Sequence, residues 1–400
     1  MQAESSQEVL HRYRRHAPPA LLVDLVDEVV MSAEGATLHC AGDRLLLDFA
    51  SGGFGYGHPR VREAVAAQIE KAPLSSRILI SRPLAMLVQR LAEMAPGELQ
   101  VSYVCNSGEE ALDSSLKLTK GYAPHRRNLV VVEGCDFGTL SHGLYLAGIG
   151  ESYLRHLPFV PVRVPFGDLQ AMLHAVDDST AAVLLEPVSL ARGVQLTPAE
   201  YLRALRQRCD ETGTLMIINE IQTALGRTGR EFAVEHSGVV PDVLVLGGAL
   251  GGGIIPVGAY VTRVPINSAV YDRRNPTLHG STTGANPASC AAALAVLETL
   301  VEERLAERHA QHGRTLTLAL EGLRARHPER IRQVQVLGSL AALEFESTER
   351  AEAVRRSALE RGLLLRHAAD GWLHMRPPLL VSATELGGAL DILTASLEME

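Results

Sequence analysis

The sequence predicts an α/β fold, with a large domain around a mainly parallel sheet and a smaller C-terminal α/β domain. Short uncharged apolar runs at 129–132, 182–185, 215–218 and 243–246 alternate with helical stretches. Strands that are apolar along their whole length are covered on both faces, as in parallel sheets flanked by helices. After a long helix that opens near Pro287 the pattern changes, and 334–345, 363–366 and 372–375 read as strands of the smaller unit. With 400 residues, 46% of them hydrophobic and 21% charged, the chain is apolar enough to bury such cores, and disorder is excluded.

From the N-terminus, residues 7–34 read as a helix and an apolar lead-in. Residues 37–48 alternate in polarity around Gly42-Asp43, which predicts a β-hairpin. Gly52, Gly53, Gly55 and Gly57 form a loop ending at His58-Pro59, and a helix follows over 60–70. Residues 101–105 predict a strand and 109–122 a helix, while the amphipathic 198–212 lies between two buried strands. The run 243–261 is nineteen residues without a charge, the length of a membrane span. Its six glycines and Pro256 make a poor helix, so it reads as strand, glycine loop, strand. The division expected is 1–50 as an N-terminal segment of the small domain, 51–315 as the large domain and 316–400 as the small C-terminal domain.

A net charge of −8 argues against a nucleic-acid partner held by phosphate neutralisation. The five cysteines (Cys40, Cys105, Cys135, Cys209, Cys290) are scattered, with no C-x-x-C or Cys/His metal spacing. No metal site is expected, and the usage fits a reducing compartment. The first thirty residues carry charges throughout, so no secretory signal is read and the protein is expected to be cytoplasmic, with no membrane partner. There are three lysines, Lys71, Lys117 and Lys120, and none after position 120.

Several segments then fall in order. Leu47-Asp48-Phe49 leads to Gly57-His58-Pro59, Asn106-Ser107-Gly108 opens a helix, and Glu186-Pro187-Val188 precedes the run from Glu220 to Gly229. Pro241-Asp242, Gly251-Gly252-Gly253, His279-Gly280-Ser281-Thr282, Asn286-Pro287 and Pro377-Pro378-Leu379 complete the series. Over nearly its whole length the chain resembles the class III aminotransferases, pyridoxal-phosphate enzymes of fold type I. The resemblance implies a seven-stranded large domain, a small C-terminal domain and a homodimer with its sites at the subunit boundary. Thr282 matches the threonine that reaches the partner's cofactor phosphate.

Against that pattern, five positions depart. The lysine that binds the cofactor stands in the family just before the glycine triplet, where this chain has Gly248. The aspartate at the pyridine nitrogen is Asn219, whose amide holds no proton on the ring, while Gln222, matching the residue near the phenolic oxygen, is kept. At the phosphate loop, Ser107-Gly108 is followed by Glu109, a carboxylate that repels a phosphate and also suits a first helical turn. The stacking aromatic is replaced by Asp136, with Phe137 one place on. The substrate-binding arginine is replaced by His374, with Arg376 two residues on and on the same side of a strand.

Taken together, these departures predict a protein that has lost pyridoxal-phosphate-dependent transamination. The leading expectation is a cofactor-independent enzyme that works on a small metabolite, by cyclisation, dehydration, isomerisation or hydrolysis, plausibly in a biosynthetic pathway. Asp136, His374, Glu109 and His142 would act as acids and bases. Phe137, His279 and Arg376 would bind substrate. Ser107, Gly108, Asn219, Gln222, Gly248 and Thr282 would be a degenerate cofactor site. Two other readings stand beside it: a non-catalytic partner of an active aminotransferase, and an enzyme that keeps the cofactor without a covalent link.

Overall fold

The computed structural model describes residues 5–22, 25–72, 74, 79–150, 157–272, 279–367 and 370–398. Its larger core is a seven-stranded sheet in the order Val101–Cys105, Gly258–Thr262, Val243–Leu246, Leu215–Asn219, Thr180–Leu185, Asn128–Val132 and Val160–Val164. The last five are parallel, and Gly258–Thr262 runs antiparallel to both its neighbours. Thr180–Leu185 and Leu215–Asn219 are buried at every position. Each Leu, Ile or Val so covered contributes about 1.5–3 kcal/mol of transfer free energy. The mixed α/β architecture expected from the apolar runs is therefore present. The uncharged run is a strand, Val243–Leu246, a short 3₁₀ turn, Gly248–Gly251, and the strand Gly258–Thr262.

A second sheet runs Val30–Glu34, Thr37–Cys40, Leu45–Phe49, Leu363–His367, Trp372–Met375, Leu340–Phe345 and Ile331–Leu337. The N-terminal hairpin turns at Gly42 and Asp43, both at positive φ, and Leu45–Phe49 pairs parallel with Leu363–His367. The stretch read from 334 to 345 is two antiparallel strands, broken by Gly338 at φ +54. Sequence reading also passed over the strand Val160–Val164 and the helices Arg82–Met94 and Ala383–Glu398. Among the described residues no helix is long and apolar enough to cross a membrane.

Parallel strands leave a crevice at their carboxyl ends, where the connecting loops diverge. Gly134, Glu186 and Gln222 follow the ends of three of these strands, and His374 and Arg376 approach them from the second sheet.

Candidate active site

The crevice holds a cavity of about 320 Å³ whose polar lining is Asp136, Glu186, Gln222, Arg366, His374 and Arg376. Trp372–Met375 is a buried strand, and His374 and Arg376, two residues apart, line the same cavity. The Arg376 backbone N–H donates to the Phe49 carbonyl at 2.7 Å, and its Nη2 donates to Gln222 Oε1. Its side chain is nearly enclosed, with 6% of the residue exposed. Burial lowers its pKa to about 10, helped by the Arg366 charge and opposed by Glu186 and Asp136.

Glu186 ends the apolar strand Thr180–Leu185, is itself buried, and accepts the Asp136 backbone N–H at 3.0 Å. Burial raises its pKa to about 8; the charge of Asp136 adds to the rise, while the Asp136 N–H and Arg376 oppose it. A folded-state pKa raised from 4.5 means that the native protein binds more protons than the unfolded chain between those values. Stability from this group is complete below about 4.5 and is lost as pH rises through about 8; Glu220, raised by burial to about 7, acts in the same direction. Urea unfolding between pH 6 and 9 is expected to show falling stability, and a flatter profile for Glu186→Gln. Equal slopes in the two proteins would rule this assignment out.

Asn219, also buried, is held at both ends of its amide. Nδ2 donates to the Asp136 carbonyl at 2.9 Å and Oδ1 accepts the Ile221 N–H at 3.1 Å. A carboxylate has no hydrogen to give to that carbonyl. Asn219 therefore ties the Asp136 loop to the end of its strand.

The remaining expected site residues are dispersed. Glu109 accepts the Thr139 hydroxyl at 3.2 Å, so the first turn of helix Gly108–Tyr122 leans on the 136–139 loop. His142 Nδ1 meets Asp113 Oδ1 at 2.5 Å, joining helix Ser141–Leu146 to helix Gly108–Tyr122 outside the cavity lining. Phe137 is buried in the large core. His279 stacks on Tyr271 and tilts against Tyr103. Ser107 caps helix Gly108–Tyr122 by accepting the Glu110 N–H at 3.0 Å. Thr282 lines a separate cavity of about 440 Å³ with Leu79, Ile80 and Tyr103. Gly248 begins the 3₁₀ turn after Val243–Leu246. Lys71 and Lys117 are exposed, and Lys120 donates to the carbonyls of Pro124 and Arg126 at 3.1 and 3.2 Å, so no lysine lines the crevice. Glu186 and Arg366 were not among the expected site residues. The signal for Glu186 was a lone carboxylate closing a six-residue apolar strand.

Residues 24–397 match the model of the aminotransferase class-III family. The chain belongs to that family. Among class-III aminotransferases it is 35% identical, over 97% of its length and 88% of the relative's, to the putrescine aminotransferase of Pectobacterium atrosepticum. The ornithine aminotransferase of Toxoplasma gondii superposes with a TM-score of 0.90 at 26% identity, covering 100% of this chain and 96% of that one. A second structure of the Toxoplasma gondii enzyme, crystallised with oxidised glutathione and with partial occupancy of pyridoxal phosphate at its active site, gives a TM-score of 0.86. Its identity is 27%, with 99% of this chain and 95% of that chain covered.

These relatives correct three expectations. The cofactor-independent enzyme, the non-catalytic partner and the absence of a cofactor are each overturned by membership of a family whose relatives here are named as aminotransferases, pointing to pyridoxal-phosphate-dependent transamination. The expectation of a cofactor kept without a covalent link gains no specific support from them. The error came from reading each substitution as a loss; Asn219, for one, has a hydrogen-bonding task that aspartate cannot perform.

Two features suit the phosphate and ring of that cofactor, whereas Gly248 offers no amine for a covalent link. The start of helix Gly108–Tyr122 presents N–H groups that have no intrahelical partner, and Gln222 brings an amide into the crevice.

Proposed function

We propose that the chain is a pyridoxal-phosphate-dependent aminotransferase that moves the amino group of a small aliphatic amine to a carbonyl acceptor. The observation that carries this is the 35% identity to a putrescine aminotransferase across 97% of the chain, joined to a polar crevice at the strand ends. Ser107 and Gly108 would hold the phosphate, with Asn219 and Gln222 at the ring edge and Thr282 supplied across a subunit boundary. When bound, the cofactor supplies an electron sink. Asp136 would attract the ammonium group of the amine, and His374 and Arg376 the acidic end of the carbonyl acceptor. The finer reading is a divergent member without the cofactor-binding lysine, since Gly248 stands at that position and the three lysines lie elsewhere.

The test is incubation of the purified chain with pyridoxal phosphate, putrescine or ornithine, and a panel of 2-oxo acids, with amino acid product measured. Formation of a new amino acid is expected; none with any pair would defeat the reading. Borohydride reduction of the loaded protein tests the finer point. Peptides carrying Lys71, Lys117 and Lys120 are expected to keep their mass, and a pyridoxyl adduct on any of them would overturn it.

The same reading makes the chain a homodimer in the cytoplasm. Leu79 and Ile80, 71% and 84% exposed, stand beside Thr282 as apolar surface suited to a second copy. Five buried, unbridged cysteines suit a reducing compartment. Light scattering is expected to give a dimer, and Ile80→Glu to weaken it at least tenfold by burying a charge. A monomeric parent chain would end this part of the proposal.

A further inference from the structure

We propose that His309 and His312 form an acid-sensitive latch, which holds residues 377–380 against the turn at 226–229 at neutral pH and releases them in acid. Neither histidine lines the crevice, and the device stands whatever the crevice binds. Its first support is the number of bonds that converge on four residues. Arg227 donates to the Pro377 carbonyl at 2.6 Å, and His309 Nε2 meets the Leu379 carbonyl at 3.0 Å. The Leu379 and Leu380 N–H groups donate to the Gly53 and Phe54 carbonyls at 3.0 and 2.8 Å. Helix Leu305–Arg326, which carries both histidines, closes on the turn so tightly that a Cβ on Gly229 would stand 3.2 Å from the Ala310 Cβ.

Its second support is the way the two rings are enclosed. His309 is fully buried. The Leu379 carbonyl can only accept, so Nε2 carries the ring hydrogen and Nδ1 is left as an acceptor with no partner among the described residues. His312, also buried, meets His309 edge-on with 5.4 Å between ring centroids, and its Nδ1 likewise has no partner among those residues. A proton added to either ring at Nδ1 finds no acceptor there, and the charge it brings has no carboxylate to pair with.

The neighbouring charges add to that cost. Facing His309 are Arg227 from the turn and Arg308 and His312 from its own helix, with Arg376 next to Arg227, while residues 377–380 offer it the Leu379 carbonyl. The hairpin at Gly338 meets this helix through backbone, at Gly313. Glu303 is taken by His58 at 2.9 Å and Arg308 at 3.7 Å. Burial, with the charges of Arg227, His312 and Arg308 adding, holds the His309 pKa well below 6.5, and burial and Arg308 lower that of His312. His236, which meets the Thr228 hydroxyl of the turn at 3.2 Å and has Arg230 and Glu235 as its charged neighbours, is lowered by burial too. The released form therefore binds more protons than the latched one below about 6.5, so the latch is complete above that pH and is lost as pH falls through it.

The experiment is amide hydrogen exchange of the purified full chain from pH 7.5 to 5.0, read by mass spectrometry as protection factors. In the parent, peptides covering 50–56 and 376–382 are expected to lose protection by up to about tenfold per pH unit for each histidine below pH 6.5. Peptides covering the strand Thr180–Leu185 should keep theirs. The double variant His309→Gln/His312→Gln keeps a donor for the Leu379 carbonyl and takes up no proton. It should match the parent at pH 7.5 to within about threefold and lose most of the slope. His125→Gln, at an exposed ring, should leave the slope as it is. Where the double variant is too unstable to purify, His312→Gln alone should lower the slope by about half. Protection at 376–382 that does not change between pH 7.5 and 5.0, an equal loss at Thr180–Leu185, or a slope that survives in full without these histidines would each overturn the latch.

Discussion

Replacing Arg227 by alanine is expected to cost about 3–5 kcal/mol of folding free energy. This side chain is 1% exposed and donates from Nη1 to the Pro377 carbonyl at 2.6 Å and from Nη2 to the Gly53 carbonyl at 2.9 Å and to that of Gly52. It has no carboxylate partner among the described residues, and burial, with the Arg376 charge adding, lowers its pKa to about 9. Truncation would strand the Gly52 and Pro377 carbonyls at about 1–3 kcal/mol each, while that of Gly53 keeps the Leu379 N–H at 3.0 Å, and would open a cavity, offset in part because a desolvated charge is removed. Because Gly52 packs against Arg376 and Pro377 follows it, Arg227 also fixes the segment that brings Arg376 into the crevice. Urea unfolding of Arg227→Ala and Arg227→Met separates the two contributions. Methionine should restore the packing and leave the carbonyls unmet, so it should recover only part of the loss. A loss below about 1 kcal/mol for alanine would show that the three hydrogen bonds do not hold the turn.

The fold was legible because its cause is local. Four-residue apolar runs that carry no charge have few options besides buried strands, and the strands Thr180–Leu185 and Val243–Leu246 contain the runs at 182–185 and 243–246. The hairpin at Gly338 was passed over because one glycine inside an alternating stretch reads as an irregularity within a single strand. Part of the site was legible too. Asp136, His374, Gln222 and Arg376 do share one cavity, and the last placement followed from strand alternation alone. His142 was expected to share a pocket with Asp136 as an acid or base, but on the helix Ser141–Leu146 it meets Asp113 instead. Glu186 escaped notice since it sits in an unaltered motif, and what singles it out is burial, which no single sequence displays. The substitution at Asn219 looked like damage because its partner, the Asp136 carbonyl, is 83 residues away.

Placing a lysine at position 248 by a single substitution is expected to destabilise the protein by about 2–4 kcal/mol. Gly248 has φ +53, where a side chain costs about 1–2 kcal/mol, and a Cβ built there lies 2.5 Å from the Ile221 carbonyl oxygen. That neighbour is backbone and cannot rotate away. The preceding Gly247 is equally confined, since a Cβ on it would stand 2.4 Å from the Gly108 Cα at the start of helix Gly108–Tyr122. The Gly247-Gly248 turn thus closes onto the helix start and onto Ile221, and a side chain of any kind must push one of them aside. Gly248→Ala isolates that cost from the chemistry of the amine and should lose nearly as much stability as Gly248→Lys in urea unfolding. If both variants unfold at the parent's midpoint, the turn relaxes freely, and the geometry around Gly248 would present no barrier to a lysine. If both lose stability by similar amounts, the glycine is built into the packing against the Ile221 backbone. Covalent attachment of a cofactor at this position would then require compensating changes at Ile221 as well as the amine itself.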